Sequence, residues 1–449
     1  MNTGRIVCGM LLSLLTLQLP ACSFNMNVES MLSPPRLTAE QEQIYQALLS
    51  DVGGAQISLK YPKSGEHLSA FTVADLDGDG SDEAIVFFES GRTVAEENPL
   101  RYCLLGQQNG KWKALKEYST LGAEVERIDI TKLGTNPRTN LVISYSKVDG
   151  ADHKAEVLYY DSGELISTLP VPYSVMTLRD LDQDGTNELF VANAAKATVS
   201  AAALTYSLDK DGNYTPSQVD LPESFTEISR LIYGALPADH APGTVPAIYM
   251  DCLSGATTVQ TIVLSYKDNR LRQVYTDSTD RQKSERSSVY QTMDIDGDGE
   301  VEIPVDKIFY GYDKDKTEEN PPIPLTNWYV CRGGLLMRER ASYYAAQDGF
   351  VFLLPQRWEE RVTAVQEDGE TVFYTFDADR PNPDGTPNLL EPLLRLSVVT
   401  DPIMADGMQA NGYLLLRQQN GRYYLGKTES GNRLLSISDS ELLFAMRFL

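Results

Sequence analysis

The sequence predicts a mainly β protein: a β-propeller with about five detectable blades, a short N-terminal helix before it and a small α+β domain after it. Three observations predict this. A nine-residue acidic segment occurs three times, starting at residues 75, 180 and 294, which are 105 and 114 residues apart. Each copy is followed by a short run of β-branched and aromatic residues, such as Ala84-Ile-Val-Phe-Phe88 and Leu189-Phe-Val191. Weaker copies stand midway, at Ile128 to Gly134 followed by Asn140 to Ser144, and at Arg230 to Gly234 followed by Pro246 to Met250. The underlying period of about 50 residues, with three or four strands in each, is the mark of a propeller.

The chain begins differently. Arg5 supplies a positive start, and Ile6 to Leu19 is apolar but too short and interrupted to span a bilayer. Leu19-Pro20-Ala21-Cys22 then resembles the lipobox of bacterial lipoproteins, although Pro20 departs from the usual small residue. The resemblance implies a signal peptide over 1–22, lipidation of Cys22, and an extracytoplasmic protein anchored to the bacterial cell membrane. Two or more acyl chains on one cysteine hold where a single chain does not. A plain signal peptide cleaved elsewhere is the alternative reading. Residues 23–37, with Pro34-Pro35, read as a spacer. A helix over 38–54 follows, with a capping box at Thr38 and Gln41, one apolar face of Ile44, Leu48 and Val52, and Gly53-Gly54 as its stop.

The acidic segments are Asp75 to Glu83, Asp180 to Glu188 and Asp294 to Glu302, each reading D-x-D-x-D-G-x-x-E. Alternate carboxylates at places 1, 3 and 5 converge when such a loop curls, and glycine at place 6 permits the bend. The all-oxygen donor set suits Ca²⁺ better than Mg²⁺, which demands a tighter octahedron. An EF-hand would need Glu at place 12, where Val86, Val191 and Val305 stand, and helices on both sides. The loops are therefore expected to join strands.

These residues resemble the FG-GAP or VCBS-type repeats of integrin α-like propellers and bacterial surface proteins, over roughly residues 55–340. The resemblance implies three structural calcium ions. Their ligands would be Asp75, Asp77, Asp79, Ser81 and Glu83; Asp180, Asp182, Asp184, Thr186 and Glu188; and Asp294, Asp296, Asp298, Glu300 and Glu302. Ser81, Thr186 and Glu300 would act through backbone carbonyls. The midway units lack acidic ligands and are expected to be metal-free.

The propeller is expected over 55–347. Its blades carry second hairpins, as in Tyr102 to Leu105, Asn109-Gly110 and Trp112 to Leu115, because Asn-Gly between apolar runs makes a tight turn. Past Asp348 the period is lost, and 348–449 reads as an α+β domain resembling one that ends other Gram-positive secreted lipoproteins. Strands are expected at Gly349 to Leu354, Val362 to Val365, Thr371 to Phe376, Leu393 to Val399, Tyr413 to Leu416 and Tyr423 to Leu425. A final helix is capped by Ser438 and Glu441.

Composition narrows the function. With 63 acidic and 39 basic residues the net charge is −24, which opposes nucleic acid as a partner. Cys103, Cys252 and Cys331 are widely spaced and form no zinc motif; at most one disulfide can join two of them, and buried thiols fit them better. The three histidines, His67, His153 and His240, form no zincin or facial-triad pattern. No nucleophile elbow or phosphate loop occurs, and Glu359-Glu360 and Asp377 to Asp379 read as a solvated face. The expectation is a non-enzymatic binding or scaffold lipoprotein with a protein or glycan ligand. Its alternatives are an extracellular glycan-active enzyme using the propeller mouth and a structural subunit of an envelope complex.

Overall fold

The computed structural model describes residues 37–53, 56–90, 99–148, 150, 152–237, 243–275, 284–313, 315 and 322–449. The expected signal peptide, Cys22 and most of the spacer lie outside them. The chain is mainly β, with six antiparallel sheets and three α-helices among the described residues.

Helix α1 (Ala39–Asp51) carries the expected capping box, the Thr38 and Gln41 side chains each accepting from the other's backbone N–H. Sheet I sets β1 (Ile57–Leu59) and β2 (Phe71–Ala74) along one edge of β3 (Glu83–Ser90), then β4 (Leu100–Gln108) and β5 (Lys111–Ser119). Sheet II runs β6 (Glu124–Lys132), β7 (Thr139–Ser146), β8 (His153–Asp161), β9 (Glu164–Tyr173). Sheet III runs β10 (Val175–Arg179), β11 (Glu188–Asn193), β12 (Ala202–Leu208), β13 (Tyr214–Asp220). Sheet IV runs β14 (Phe225–Pro237), β15 (Thr244–Ser254), β16 (Thr258–Lys267), β17 (Arg270–Tyr275), with the two-residue β18 (Arg286–Ser287) also on β16. The two midway units expected from the sequence are thus the first hairpins of sheets II and IV.

Sequential strands pair because short turns force it. Asn109-Gly110, Ser162-Gly163, Asp268-Asn269 and Gly333-Gly334 all have positive φ at both residues, the backbone that matches strand twist in a two-residue hairpin. Strand β11 of sheet III is sandwiched by neighbouring sheets, and all six of its residues are buried. Fourth strands such as β13 lie at the rim and alternate between half-buried and exposed.

The sheets pack face to face in chain order. Ile85 and Phe87 of sheet I meet Leu141, Ile143 and Tyr145 of sheet II. Val142 and Val157 meet Leu189 and Val191 of sheet III. Phe190 and Ala192 meet Ile248 and Met250 of sheet IV, whose Tyr249 and Val263 turn to Ile303 and Val305 of the next sheet. The free face of sheet I (Ala84, Val86, Phe88) is covered by Ile44 and Leu48 of α1. Among the described residues no buried cluster joins the last sheet to the first.

Sheet V departs from the sequence reading. It orders β19 (Ile303–Ile308), β20 (Pro324–Arg332), β21 (Leu335–Ala345), β22 (Phe350–Leu353) and β28 (Met446–Phe448). Its first strand is reduced to a bridge between Met293 and Glu302. The boundary expected between 347 and 348 therefore falls inside a sheet. Sheet VI, built from β23 (Val362–Glu367), β24 (Glu370–Asp377), β25 (Asn388–Val399), β27 (Arg422–Thr428) and β26 (Leu414–Gln419), shares one core with sheet V through Trp328, Tyr344, Phe352, Trp358 and Phe373. The reason is the aromatic density of 350–376, which needs the apolar face of sheet V to bury it. Helix α2 (Pro402–Ala410), not anticipated from the sequence, joins β25 to β26, and α3 (Asp439–Ala445) starts at the expected Ser438–Glu441 capping box. Cys103, Cys252 and Cys331 are buried, and among the described residues none of them forms a disulfide.

Candidate metal centres

Each acidic segment occupies the same place in its sheet, immediately before the buried second strand. The first joins β2 to β3, the second β10 to β11, and the third leads from Met293 into β19. They stand in alternate sheets I, III and V.

Within each loop the first carboxylate builds the turn. Asp75 accepts from the backbone N–H of Gly78 at 2.7 Å and of Gly80 at 3.0 Å. Asp180 accepts from Asp184 at 3.1 Å and Gly185 at 2.9 Å. Asp294 accepts from Gly297 at 2.6 Å and Gly299 at 2.9 Å. The place-9 glutamates begin the second strands and point back beneath their loops, each accepting the place-2 amide: Leu76 to Glu83 at 3.0 Å, Leu181 to Glu188 at 3.0 Å and Ile295 to Glu302 at 2.9 Å.

Oxygens of Asp75, Asp77 and Glu83 lie within 4.8 Å of one another, as do those of Asp180, Asp182 and Glu188, and those of Asp294, Asp296, Asp298 and Glu302. Asp79 and Asp184 fall outside these groups. Asp79 accepts from the Ser81 amide at 2.7 Å and Asp184 from the Thr186 amide at 2.8 Å, so both act as turn acceptors. The Glu300 side chain meets Arg332 at 3.3 Å.

Burial raises the cost of these charges. Glu83, Glu188 and Glu302 are 5%, 2% and 0% exposed. Desolvation, reinforced by the neighbouring aspartates, pushes Glu83 up to about 7 and Glu188 and Glu302 up to about 8. Glu302 Oε1 and Asp182 Oδ1 are buried without a hydrogen-bond partner. Orphaned buried carboxylate oxygens beside convergent carboxylates are a poor arrangement for protons and a good one for a hard cation, so the residues present fit the group that the sequence implies.

The structure adds partners that sequence reading missed. Arg340 of β21 pairs with Asp296, and Arg447 of β28 donates to the Ile295 carbonyl at 3.0 Å. Loops two and three also dock on the preceding sheet. Leu133 bridges Asn187 and Ala235 bridges Glu300 in parallel, with Gly134 N–H donating to Asn187 at 2.9 Å and Ala235 N–H to Gly299 at 3.1 Å. Gly134 and Gly234, which end the leading segments of the two weak repeats, sit at these joints. A Cβ on Gly134 would fall 2.2 Å from Ser207 Oγ, and one on Gly234 would fall 2.3 Å from Val301 Cγ2. The signal was present: the leading segment of each weak repeat ends in glycine.

The other sequence candidates are ordinary surface groups. Glu359 pairs with Arg338, and Asp377 accepts from the Asp379 amide at 3.1 Å.

The chain matches no protein-family model and no curated protein. Among solved structures it is similar to an exotype rhamnogalacturonan lyase, YesX, at 10% identity over 74% of this chain and 73% of that chain, with a TM-score of 0.26. It is also similar to a rhamnogalacturonan lyase of Bacillus licheniformis, at 10% identity over 71% and 89%, TM-score 0.25. A protein from Lactobacillus plantarum aligns at 12% identity over 70% and 96%, TM-score 0.24. At such scores these likenesses carry no conclusion about fold or activity.

Proposed function

We propose that the chain is a lipid-anchored, extracytoplasmic binding or scaffold protein of the FG-GAP/VCBS type, with its sheets arranged as an open-ring propeller. Calcium in the loops of sheets I, III and V staples them. The observation that carries this reading is the recurrence of one carboxylate cluster at one topological place in alternate sheets, two of the loops being docked on the sheet before. Asp75, Asp77 and Glu83, with the corresponding groups of the other loops, would hold the ions; calcium supplies charge neutralisation for buried carboxylates. The stacking of sheets in chain order supports the propeller arrangement, and α1 closes the face of sheet I that a ring would give to its last sheet.

Calorimetric unfolding of the full chain, in calcium and in chelator, tests the metal. A ligand at one hundred times its Kd stabilises by about 2.7 kcal/mol per site, so the midpoint rises by several degrees with calcium. The rise disappears in the triple variant Asp77→Ala, Asp182→Ala, Asp296→Ala. An unchanged midpoint, with no metal found by elemental analysis, sinks the calcium reading. Labelling with palmitate, lost in Cys22→Ala, tests the anchor.

A further inference from the structure

The third acidic loop differs from the first two in what stands around it. Four carboxylates converge there, those of Asp294, Asp296, Asp298 and Glu302, against three in each of the others. By ligand charge alone it would bind calcium most tightly. Yet the chain brings a cation of its own to this loop, Arg340 Nη2 of β21 pairing with Asp296 Oδ2. Among the described residues no basic side chain forms an ion pair with the clustered carboxylates of the first two loops.

Three observations set that contact against a metal ion. Asp296 has both oxygens engaged, Oδ2 by Arg340 and Oδ1 by the Asp298 amide at 3.2 Å. Asp182, at the same place in the second loop, keeps Oδ1 buried and without a partner. Next, the contact is sheltered, with the Arg340 and Asp296 side chains 31% and 14% exposed. Asp298, the extra carboxylate, is exposed, so water and salt screen its charge. Finally, Arg340 Nε is buried with no hydrogen-bond partner, and among the described residues Asp296 alone holds the head group. A divalent ion entering this loop therefore meets a cost absent from the others. Either the guanidinium gives up a charge-assisted hydrogen bond, or it stays as a positive charge beside the ion. Glu302, 0% exposed and with Oε1 unpartnered, still faces the loop and keeps it a metal site.

We propose that Arg340 occupies the third loop when calcium is scarce and yields it only at concentrations that already fill the first two. Sheet V is then the calcium-responsive part of the protein, and sheets I and III hold their ions throughout. Arg447 of β28 grips the same loop through the Ile295 carbonyl at 3.0 Å, so the exchange is felt at the strand that completes the sheet. This second tier rests on the calcium reading proposed above.

Titration calorimetry of the metal-stripped full chain with calcium chloride tests it. The expected result is two tight ions and a third bound at least tenfold more weakly, the worth of one charge-assisted hydrogen bond. Asp296→Ala deletes the weak step, whereas Asp77→Ala and Asp182→Ala each delete a tight one. Arg340→Met keeps the apolar stem and tightens the weak step about tenfold, and Arg340→Lys, which keeps the charge, leaves it weak. A merely structural Arg340 would lower the unfolding midpoint in the Met variant without tightening calcium. Three equal steps overturn the proposal, as does a weak step that belongs to loop one or two, or a third loop whose affinity Arg340→Met lowers or leaves unmoved. Should that variant not fold, the three aspartate variants still decide which loop is weak. No calcium bound at any loop sinks the metal reading itself, whereas three ions bound alike sink only the second tier.

Discussion

Arg286 and Asp251 are the most deeply buried ion pair among the described residues, with side chains 0% and 4% exposed and 2.9 Å between Nη2 and Oδ1. Every arm of the guanidinium is used. Nε donates to the Tyr290 carbonyl at 2.7 Å, Nη1 to Thr261 Oγ1 at 2.9 Å and Nη2 to Thr292 Oγ1 at 2.7 Å. Asp251 also accepts from both threonine hydroxyls, so the network binds the middle of sheet IV to the segment entering the third acidic loop. Such a pair contributes little over an apolar pair, but half of it is costly. Arg286→Met should destabilise by about 3–5 kcal/mol in denaturant unfolding, and Arg286→Met with Asp251→Leu should recover much of that. Equal losses in both variants would mean that uncompensated charge is not the cause. The pair was invisible in the sequence because its members stand on different segments and meet only through sheet packing. The acidic loops were legible for the opposite reason: all their carboxylates lie within nine residues, so local geometry alone converges them.

At the scale of elements, the joints between sheets depend on two missing side chains. Gly234 lies within β14, where its absent Cβ lets the third acidic loop settle against the strand. Gly234→Ala should destabilise by about 1–3 kcal/mol through overpacking against Val301. It should also weaken calcium at the third loop while leaving the first untouched, read by comparing titrations in backgrounds where the other loops are disabled. Calcium affinity unchanged at the third loop would separate the joint from the metal. Hairpins and both capping boxes were readable because turn and cap chemistry is short-range. Helix α2 was not seen, although its start is marked: Asp401 caps the Ile403 amide at 2.8 Å and Pro402 takes the first position. Gly407 in its middle dilutes the helical pattern, and only Ala405 is buried, so no apolar stripe announces it.

On the scale of the whole molecule, the six sheets among the described residues share five face-to-face cores, and the segment over 446–448 returns to complete the fifth sheet. Phe350, Val351 and Phe352 of β22 pair with Phe448, Arg447 and Met446. Deleting 446–449 should uncover this apolar edge, lower the unfolding midpoint and produce higher-order species in size-exclusion chromatography, because an open apolar edge invites pairing with other chains. A monomer with an unchanged midpoint would make β28 dispensable. The mainly β class was legible because repetition multiplied a weak local signal. The reach of the sixth sheet was not, since its strands follow no acidic loop and its core is made by long-range aromatic contacts.

That returning strand also imposes a timetable on synthesis. Sheets I to IV need only the residues that have just left the ribosome. Sheet V waits while about 90 further residues are added between Leu353 and Met446, roughly 5–20 s at ordinary elongation rates. For that interval the nascent chain holds an unfinished apolar edge, and sheet VI is built beside it before the edge is sealed. The interval is when a holding chaperone has most to grip, and slow codons placed there would prolong the exposure rather than help folding.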